Sequence, residues 1–430
     1  MRRGTLTAGV LLAVLLGAPA CAGPEPRSYE VLREDTIINA DLWSDEPKML
    51  AAGLGFTDII GVDDLSTDNL ALSRTMTQLA GGTWNTLDCG AAAEPALSAY
   101  TSAASPDSIA SLYGAEVHYA DGLPIEFSWP VLPSTVDPAN LSVHLNNGET
   151  VTPDVASIWP NFEYNERSVV VIFGQFGNRI PQDQPGALYP TRVEVVDSQN
   201  PLLLVGPGGN TEPATGLHAD SGGSPYQDGD VPASERKGPR LAAAKLSRMN
   251  VEGDTGPRIF SSGLLPNDGV ALYGDRAEYR LRVYTTGGMT PDGVRGVFPT
   301  DYERFFRITA EAADGRTIRL TEPGRDYEID GGSVTVLGLA DLGVRQDGYD
   351  DCYREDKDNY IDIILEGDEH AVRSITTVEI PGTGSYDPLY NPGGPGNDPA
   401  QGVRYSSASP PIRQRVMMAI DDPMTVTYDD

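Results

Sequence analysis

The chain has few of the residue types that metal sites and nucleic-acid surfaces use. Its 430 residues include three cysteines and four histidines, and neither set has the spacing of a zinc site. Positive charge is also scarce, because 31 lysines and arginines accompany 62 aspartates and glutamates, for a net charge of −31. Nucleic acids and anionic membrane surfaces are bound through basic patches, so this excess of acid argues against both as partners.

Long hydrophobic runs are absent after the N-terminus, so we expect no transmembrane helix there. At the start, two arginines precede an apolar run at 6–16 and small residues at 18–20, which is typical of a signal peptide over 1–20. Cys21 follows directly, and the junction resembles a bacterial lipoprotein signal, in which this cysteine becomes the lipidated N-terminus. The resemblance implies a membrane anchor at Cys21. The alternative is a secreted protein cleaved at the same bond.

The number of cysteines is consistent with export. If Cys21 is lipidated, Cys89 and Cys352 remain. In an oxidising compartment an even number of cysteines favours a disulfide, so we predict that Cys89 and Cys352 form one that closes a very long loop. The alternative is two unpaired, buried thiols.

From residue 115 the sequence becomes a series of short strand-like segments separated by turns. Strands are predicted at 115–119, 125–129, 141–145, 149–153, 168–173, 192–196 and 202–205. A break at 120–122 separates the first two, and an Asn-Asn-Gly turn at 146–148 predicts a hairpin. Many short strands with turns between them predict a β-sandwich over 118–205.

Residues 127–136 read FSWPVLPSTV and precede a strand that ends in a glycine turn. In this respect residues 115–205 resemble bacterial Ig-like domains of the surface-layer type. The resemblance implies a β-sandwich used as a spacer, adhesin or accessory module on exported proteins, with no catalytic residues. Independently, the alternation of Ile125, Phe127 and Trp129 predicts three large side chains on one buried face.

A weaker copy of this pattern follows further along the chain. We align residues 141–145 with 306–310, 168–172 with 333–337, and 192–196 with 360–364. The changes of register fall in turns, so a tandem duplication is the simplest explanation. The alternative is that β-sandwiches share such patterns by chance. The second copy predicts another Ig-like sandwich over 240–381.

The predicted fold is mainly β, with two tandem Ig-like β-sandwiches and a small helical or irregular N-terminal segment. Helices are expected at 45–52, 69–79 and 107–113, and edge strands at 416–420 and 424–428. The predicted organisation is a signal peptide at 1–20, a tether at 21–28, the helical or irregular segment at 29–117, the first sandwich at 118–205, a Gly/Pro-rich linker at 206–239, the second sandwich at 240–381, and a tail at 382–430.

The densest group of possible ligands lies at residues 347–359. Calcium requires several carboxylate oxygens, so this loop is a candidate calcium site, although its spacing does not fit an EF-hand. The alternative is a solvated acidic loop with internal pairs to Arg354 and Lys357. The candidate ligands are Asp347, Asp350, Asp351, Glu355, Asp356 and Asp358.

These features favour an exported bacterial cell-envelope protein with a non-enzymatic structural, adhesive or ligand-binding role. Its expected partners are the membrane, through Cys21, and an extracellular protein or glycan ligand. Two alternatives stay open: a secreted hydrolase with a carboxylate site near 347–359, and a calcium-stabilised accessory module. No stretch fits a nucleophile elbow or a phosphate-binding loop.

Overall fold

The fold is mainly β, as the sequence predicts, with 34% strand and 16% helix. Within the described part of the chain, no helix has both the length and the apolarity to cross a bilayer. The computed structural model describes residues 27–87, 95–257, 269–340, 359–395, 403–404 and 407–429.

The strands are short and follow one another closely along the chain. Those of the first half are β1 (Thr36–Asp41), β2 (Met49–Ala52), β3 (Phe56–Ile60), β4 (Ala120–Phe127), β5 (Leu141–Leu145), β6 (Thr150–Val151), β7 (Val155–Ser157), β8 (Val169–Gly174), β9 (Pro190–Val195), β10 (Leu203–Val205), β11 (Thr211–Pro213), β12 (His218–Asp220) and β13 (Gln227–Asp228). Those of the second half are β14 (Leu241–Arg248), β15 (Tyr279–Thr285), β16 (Arg307–Glu311), β17 (Thr317–Leu320), β18 (Asp326–Ile329), β19 (Gly332–Ala340), β20 (Tyr360–Gly367), β21 (Ile375–Ile380), β22 (Val403–Arg404), β23 (Ile412–Arg415), β24 (Met417–Met418) and β25 (Thr425–Asp429).

Two of the three predicted helices are confirmed, and their ends carry the expected signals. Ser105 caps the helix at 107–113 by accepting a hydrogen bond from the backbone N–H of Ser108, and Gly114 ends it in the left-handed conformation. Asn69 caps the helix at 69–79. The helices are α1 (Ser28–Val31), α2 (Leu70–Leu79), α3 (Pro106–Tyr113), α4 (Gly269–Tyr273), α5 (Tyr302–Phe305) and α6 (Glu369–Val372).

The helix predicted at 45–52 is wrong, because this stretch contains β2. Acids followed by proline indicate a helix start locally, yet β2 pairs with β4 and Met49 lies opposite Phe127. The backbone of Ser128 also donates to the carbonyl oxygen of Lys48 at 2.9 Å. Pairing with a neighbouring strand therefore overrides the local signal.

Two sheets enclose the first hydrophobic core. One contains β2, β4, β8 and β7 in that order, with β3 also paired to β4, and the other contains β12, β9, β5 and β6. Ile125, Phe127 and Trp129 are all buried in this core, as their alternation predicts. The predicted hairpin is confirmed, since His144 of β5 lies opposite Thr150 of β6.

The start of β4 differs from the prediction. Residues 115–119 are not in a strand, and β4 continues through 120–122, where a break was expected. The carboxylate of Asp121 explains the continuity, because it accepts hydrogen bonds from the backbone N–H groups of Phe176 and Gly177 at 2.6 and 2.7 Å. Asp121 indicates a turn in the sequence, but in the structure its side chain fixes β4 to the loop that follows β8.

Two further sheets enclose the second core. The larger contains β18, β19, β20, β15, β14 and β24 in that order, and the smaller contains β17, β16, β21 and β23. Residues of both sheets share one buried cluster that includes Leu281, Ile308, Val336, Ile363 and Val378. The strands predicted at 306–310, 333–337 and 360–364 are present as β16, β19 and β20.

The structure contradicts one pairing of the proposed repeat. Residues 192–196 belong to β9, which pairs with β5, whereas residues 360–364 belong to β20, which lies between β19 and β15. The strand next to β16 in the corresponding place is β21. Any half-buried strand has the alternating pattern of these two aligned segments. The pattern therefore could not identify which strand of the second half corresponds to β9.

The segment 29–117 is not only helical or irregular, because it also contributes β1, β2 and β3. Strands β2 and β3 pair with β4, so the segment shares a sheet with the strands that follow it. The predicted linker at 206–239 contains the short strands β11, β12 and β13.

The predicted edge strands of the tail are confirmed, and they connect distant parts of the chain. Strand β24 forms one edge of the six-stranded sheet by pairing with β14. Strand β25 pairs with β1, where Ala40 lies opposite Val426. The end of the described chain is therefore bound to its beginning.

The two pairs of sheets also pack against each other. Strand β8 is buried on both faces: Val170 and Ile172 lie in the first core, whereas Val171 belongs to a third cluster. This third cluster also includes Tyr284 of β15 and Tyr360 of β20. A hydrophobic contact thus joins β8 to the outer face of the six-stranded sheet.

Candidate functional site

One face of the six-stranded sheet is charged although it is buried. Alternate residues of β15 contribute to the second core, so Arg280 and Arg282 lie on the opposite face. The register places Lys245 of β14 and Asp362 of β20 directly beside Arg282. All four residues are buried. Buried charges are costly unless they are paired, so this row must find its partners within the protein.

Arg282 lies at the centre of the ion pairs. Its Nε and Nη2 atoms donate to the two carboxylate oxygens of Asp362 at 2.8 and 3.0 Å. Its Nη1 atom lies 3.0 Å from Oε1 of Glu166 and 3.4 Å from Oδ2 of Asp41. Asp41 ends β1, and Glu166 precedes β8, so one guanidinium group connects three separate parts of the chain.

The remaining contacts extend these pairs in two directions. The ammonium group of Lys245 pairs with Asp41 and donates to the carbonyl oxygen of Pro423 at 2.8 Å. Nη1 of Arg280 lies 3.3 Å from Oδ1 of Asp254. We call the seven residues the buried charge cluster: Asp41, Glu166, Lys245, Asp254, Arg280, Arg282 and Asp362.

Burial and charge act in opposite directions on the carboxyl groups of the cluster. Burial alone would raise the pKa of Asp41, but Lys245, Arg282 and Arg280 together lower it below its usual value. For Asp254, burial outweighs the attraction of Arg280 and Arg282, and its pKa is raised. Asp41 is therefore held in the ionised form, which suits its position between two cations.

Three stacked aromatic rings lie beside the cluster. The ring centroids of Tyr284 and Tyr360 are 4.8 Å apart and nearly parallel, and Trp43 stacks on Tyr284 at 5.1 Å. Lys245 lies over the ring of Trp43 and Arg282 over that of Tyr360, at 5.5 and 5.0 Å from the centroids. These contacts favour the cations in a site with little water.

The loop before β8 is unusually polar for a buried segment. Asn161 and Arg167 are fully buried, and neither side chain has a hydrogen-bond partner among the described residues. Burial outweighs the nearby Tyr164 and Glu163 and lowers the pKa of Arg167 to about 10. The guanidinium group lies over the ring of Tyr164, 5.4 Å from its centroid.

Glu126 is a second buried acid between the sheets, outside the cluster. Its Oε1 atom accepts a hydrogen bond from Nδ2 of Asn359 at 3.1 Å, and its Oε2 atom has no partner among the described residues. Burial raises the pKa of Glu126 well above its usual value, although the bond from Asn359 opposes this. The neutral acid is therefore favoured in the folded protein.

We expect Glu126→Gln to stabilise the protein at pH 7 and to have little effect near pH 4. Because the folded-state pKa of Glu126 is raised, the folded state holds a proton that the unfolded state has lost, so stability falls as pH rises through this window. Each unit of pKa difference corresponds to about 1.4 kcal/mol. Urea unfolding at both pH values measures the effect. The exposed control Glu311→Gln should change neither value, and an equal effect of Glu126→Gln at both pH values would contradict the assignment.

A cleft of about 390 Å³ lies between β2 and the start of β14. Leu50 and Ala51 form part of one wall and Leu241 part of the other. Lys237 and Arg240 also line it. Volumes of this size are typical of sites for small ligands.

The buried charge cluster is suited to holding sheets together rather than to chemistry on a substrate. Its side chains are buried, and its four carboxylates are paired with three cations. Within the described ranges, no group of three or more histidines, cysteines, aspartates or glutamates is arranged to hold a metal ion. The cleft described above is lined by residues that do not belong to the cluster.

The residues that the sequence singled out lie elsewhere. Cys21, Cys89 and Cys352 fall outside the described residues, and so do all six candidate calcium ligands: Asp347, Asp350, Asp351, Glu355, Asp356 and Asp358. The disulfide, the lipid anchor and the calcium site therefore stay predictions.

Sequence reasoning missed the cluster although a signal was present. Residues 279–283 of β15 alternate two arginines with apolar or aromatic residues, which identifies a strand with one charged face. Such a face is normally exposed to solvent, so the pattern does not reveal burial.

The chain matches no protein-family model, no curated protein and no solved structure.

Proposed function

We propose that the protein is a non-enzymatic structural module of the bacterial cell envelope. In this proposal the two pairs of sheets are Ig-like sandwiches, centred on residues 118–205 and 240–381 and completed by strands from outside these ranges, that are fused into one rigid body. The observation that carries the proposal is the buried charge cluster, whose ion pairs join Asp41 and Glu166 to the six-stranded sheet.

A charged interface supports a rigid role because it is specific. A buried ion pair adds little net stability, since desolvation offsets most of the attraction. A displaced arrangement of the sheets would leave Arg282 or Lys245 buried without a partner, which is strongly unfavourable. The hydrophobic cluster that contains Val171 of β8 and Tyr284 of β15 supplies the adhesion, and the ions fix the orientation.

Attachment to the envelope follows from the N-terminal pattern. A signal peptide at 1–20 and lipidation at Cys21 would anchor the chain in a membrane, with residues 21–28 as a tether. The strongly acidic composition favours solubility outside the cell. A module of this kind would offer a surface of constant shape to which an extracellular protein or glycan ligand binds.

We expect Cys21→Ser to release the protein from the membrane fraction of a bacterial host that processes lipoproteins. The substitution removes the thiol to which lipid is attached, so most of the protein should move to the soluble fraction. Fractionation followed by immunoblotting measures this. Cys89→Ser is the matched control and should stay with the membrane. A Cys21→Ser protein that fractionates like the parent would show that the anchor is absent.

A further inference from the structure

The lining of the cleft between β2 and β14 has an aliphatic part and a cationic part. Leu50, Ala51, Ala52 and Leu241 form the aliphatic part. Among the described strands, β2 ends the hydrogen-bonded order of its sheet, and β12 of the other sheet lies near it. The end of a sheet next to a cleft can accept an extended chain through backbone hydrogen bonds.

Lys237 and Arg240 form the cationic part of the lining. The ammonium group of Lys237 donates to Oε1 of Gln182, and no ion pair joins Lys237 or Arg240 to a carboxylate in the described part of the chain. Asp220 is the one acid among the described residues that line the cleft. Burial and the charge of Arg240 lower the pKa of Lys237, so a bound anion would relieve this repulsion.

These two cations lie in a strongly acidic protein without a carboxylate partner among the described residues. The chain has 62 acidic residues and 31 basic ones, so partners for a cation are plentiful. Some exposed arginines use them, since Arg276 pairs with Glu366 and Arg316 with Asp314. The net charge of −31 repels anions at a distance, so any affinity for an anion must arise from contacts inside the cleft.

We propose that this cleft binds a short, extended aliphatic ligand that ends in a carboxylate. Lys237 and Arg240 would hold the carboxylate, and the aliphatic body would lie along Leu50, Ala51 and Leu241. None of the described residues that line the cleft is aromatic, so they offer no stacking surface of the kind that a neutral sugar uses. Two sources share this chemistry, the carboxyl terminus of a peptide and a fatty acid. The proposal goes beyond the structural role and does not depend on it.

The test is calorimetric titration of the purified mature protein with three probes. These are acetyl-Leu-Ala-Leu with a free carboxylate, the same peptide with an amidated terminus, and octanoate. We expect saturable 1:1 binding of at least one carboxylate probe and about tenfold weaker binding of the amide. Tighter binding of the peptide acid identifies a peptide terminus as the ligand, and tighter binding of octanoate identifies a fatty acid.

Charge variants locate the site. Lys237→Met and Arg240→Gln should each weaken binding about tenfold, whereas Arg319→Gln removes the same charge from exposed β17 and should leave binding unchanged. Circular dichroism confirms that each variant is folded. Absence of saturable binding by both acids at millimolar concentration, equal binding of acid and amide, or equal loss in all three variants would overturn the proposal.

Discussion

We expect Arg282→Met to lower the free energy of unfolding by about 3–5 kcal/mol, the usual result of removing one partner from a buried ion pair. The substitution leaves Asp362 and Glu166 without the guanidinium group that contacts both of them. Their desolvation is then offset much less, although Asp362 keeps a longer contact of 3.5 Å with Arg280. Urea unfolding followed by tryptophan fluorescence measures the loss.

The number of thermal transitions carries further information. If the cluster makes the two pairs of sheets one rigid body, the parent protein should unfold in a single calorimetric transition. We expect two transitions for Arg282→Met, because each pair of sheets keeps its own core and can then unfold separately. Two transitions in the parent protein would contradict the proposed structural role.

Two further variants keep this prediction testable if Arg282→Met does not fold. Arg282→Lys keeps the charge but loses the two parallel hydrogen bonds to Asp362, so an intermediate loss is expected. Arg276→Gln is the matched control, because Arg276 forms a solvent-exposed pair with Glu366 near the end of β20 in the same sheet. Exposed pairs contribute about 0–1 kcal/mol. A similar loss of unfolding free energy in Arg282→Met and Arg276→Gln would exclude a special role for the cluster.

Phe127→Ala should be about as damaging, with an expected loss of about 3–5 kcal/mol. Phe127 is completely buried in the first core, and its backbone N–H donates to the carbonyl oxygen of Ser168 at 2.9 Å. Removing the ring leaves a cavity between the two sheets. The other strands hold both sheets in place, so the neighbouring side chains cannot easily move in to fill it. Urea unfolding again gives the value.

Leu79→Ala is the control for this substitution. Leu79 ends α2 with 77% of its surface exposed, and its truncation should change the unfolding free energy by less than about 0.5 kcal/mol. A loss below about 1 kcal/mol for Phe127→Ala would mean that residues 127–136 do not serve as scaffold.

The strands and their buried faces were largely predictable, because their signals are local. Alternation at residues 125–129 gives Ile125, Phe127 and Trp129 of the first core, and the Asn-Asn-Gly turn gives the β5–β6 hairpin. Helix caps located α2 and α3. Prediction was wrong where long-range pairing overrides a local signal, as at β2, and where two strands have the same pattern, as at β9 and β20.

The candidate site was not predictable, because no local rule connects its members. Asp41, Glu166 and Lys245 lie far apart in sequence and become neighbours only when β1, β8 and β14 pack together. The cleft has the same origin, since its walls belong to the edge of one sheet and the start of another strand.

The sequence by itself determined a β-rich, acidic chain with a leader-like start and with the large apolar side chains of residues 125–129 on one buried face. Those properties depend on composition and on the two-residue period of a strand. The tertiary structure alone decided that the charged face of β15 is buried against Asp41 and Glu166 instead of facing water. The physical reason is that alternation fixes which side chains share a face, whereas the elements packed on that face fix whether it meets solvent or another sheet.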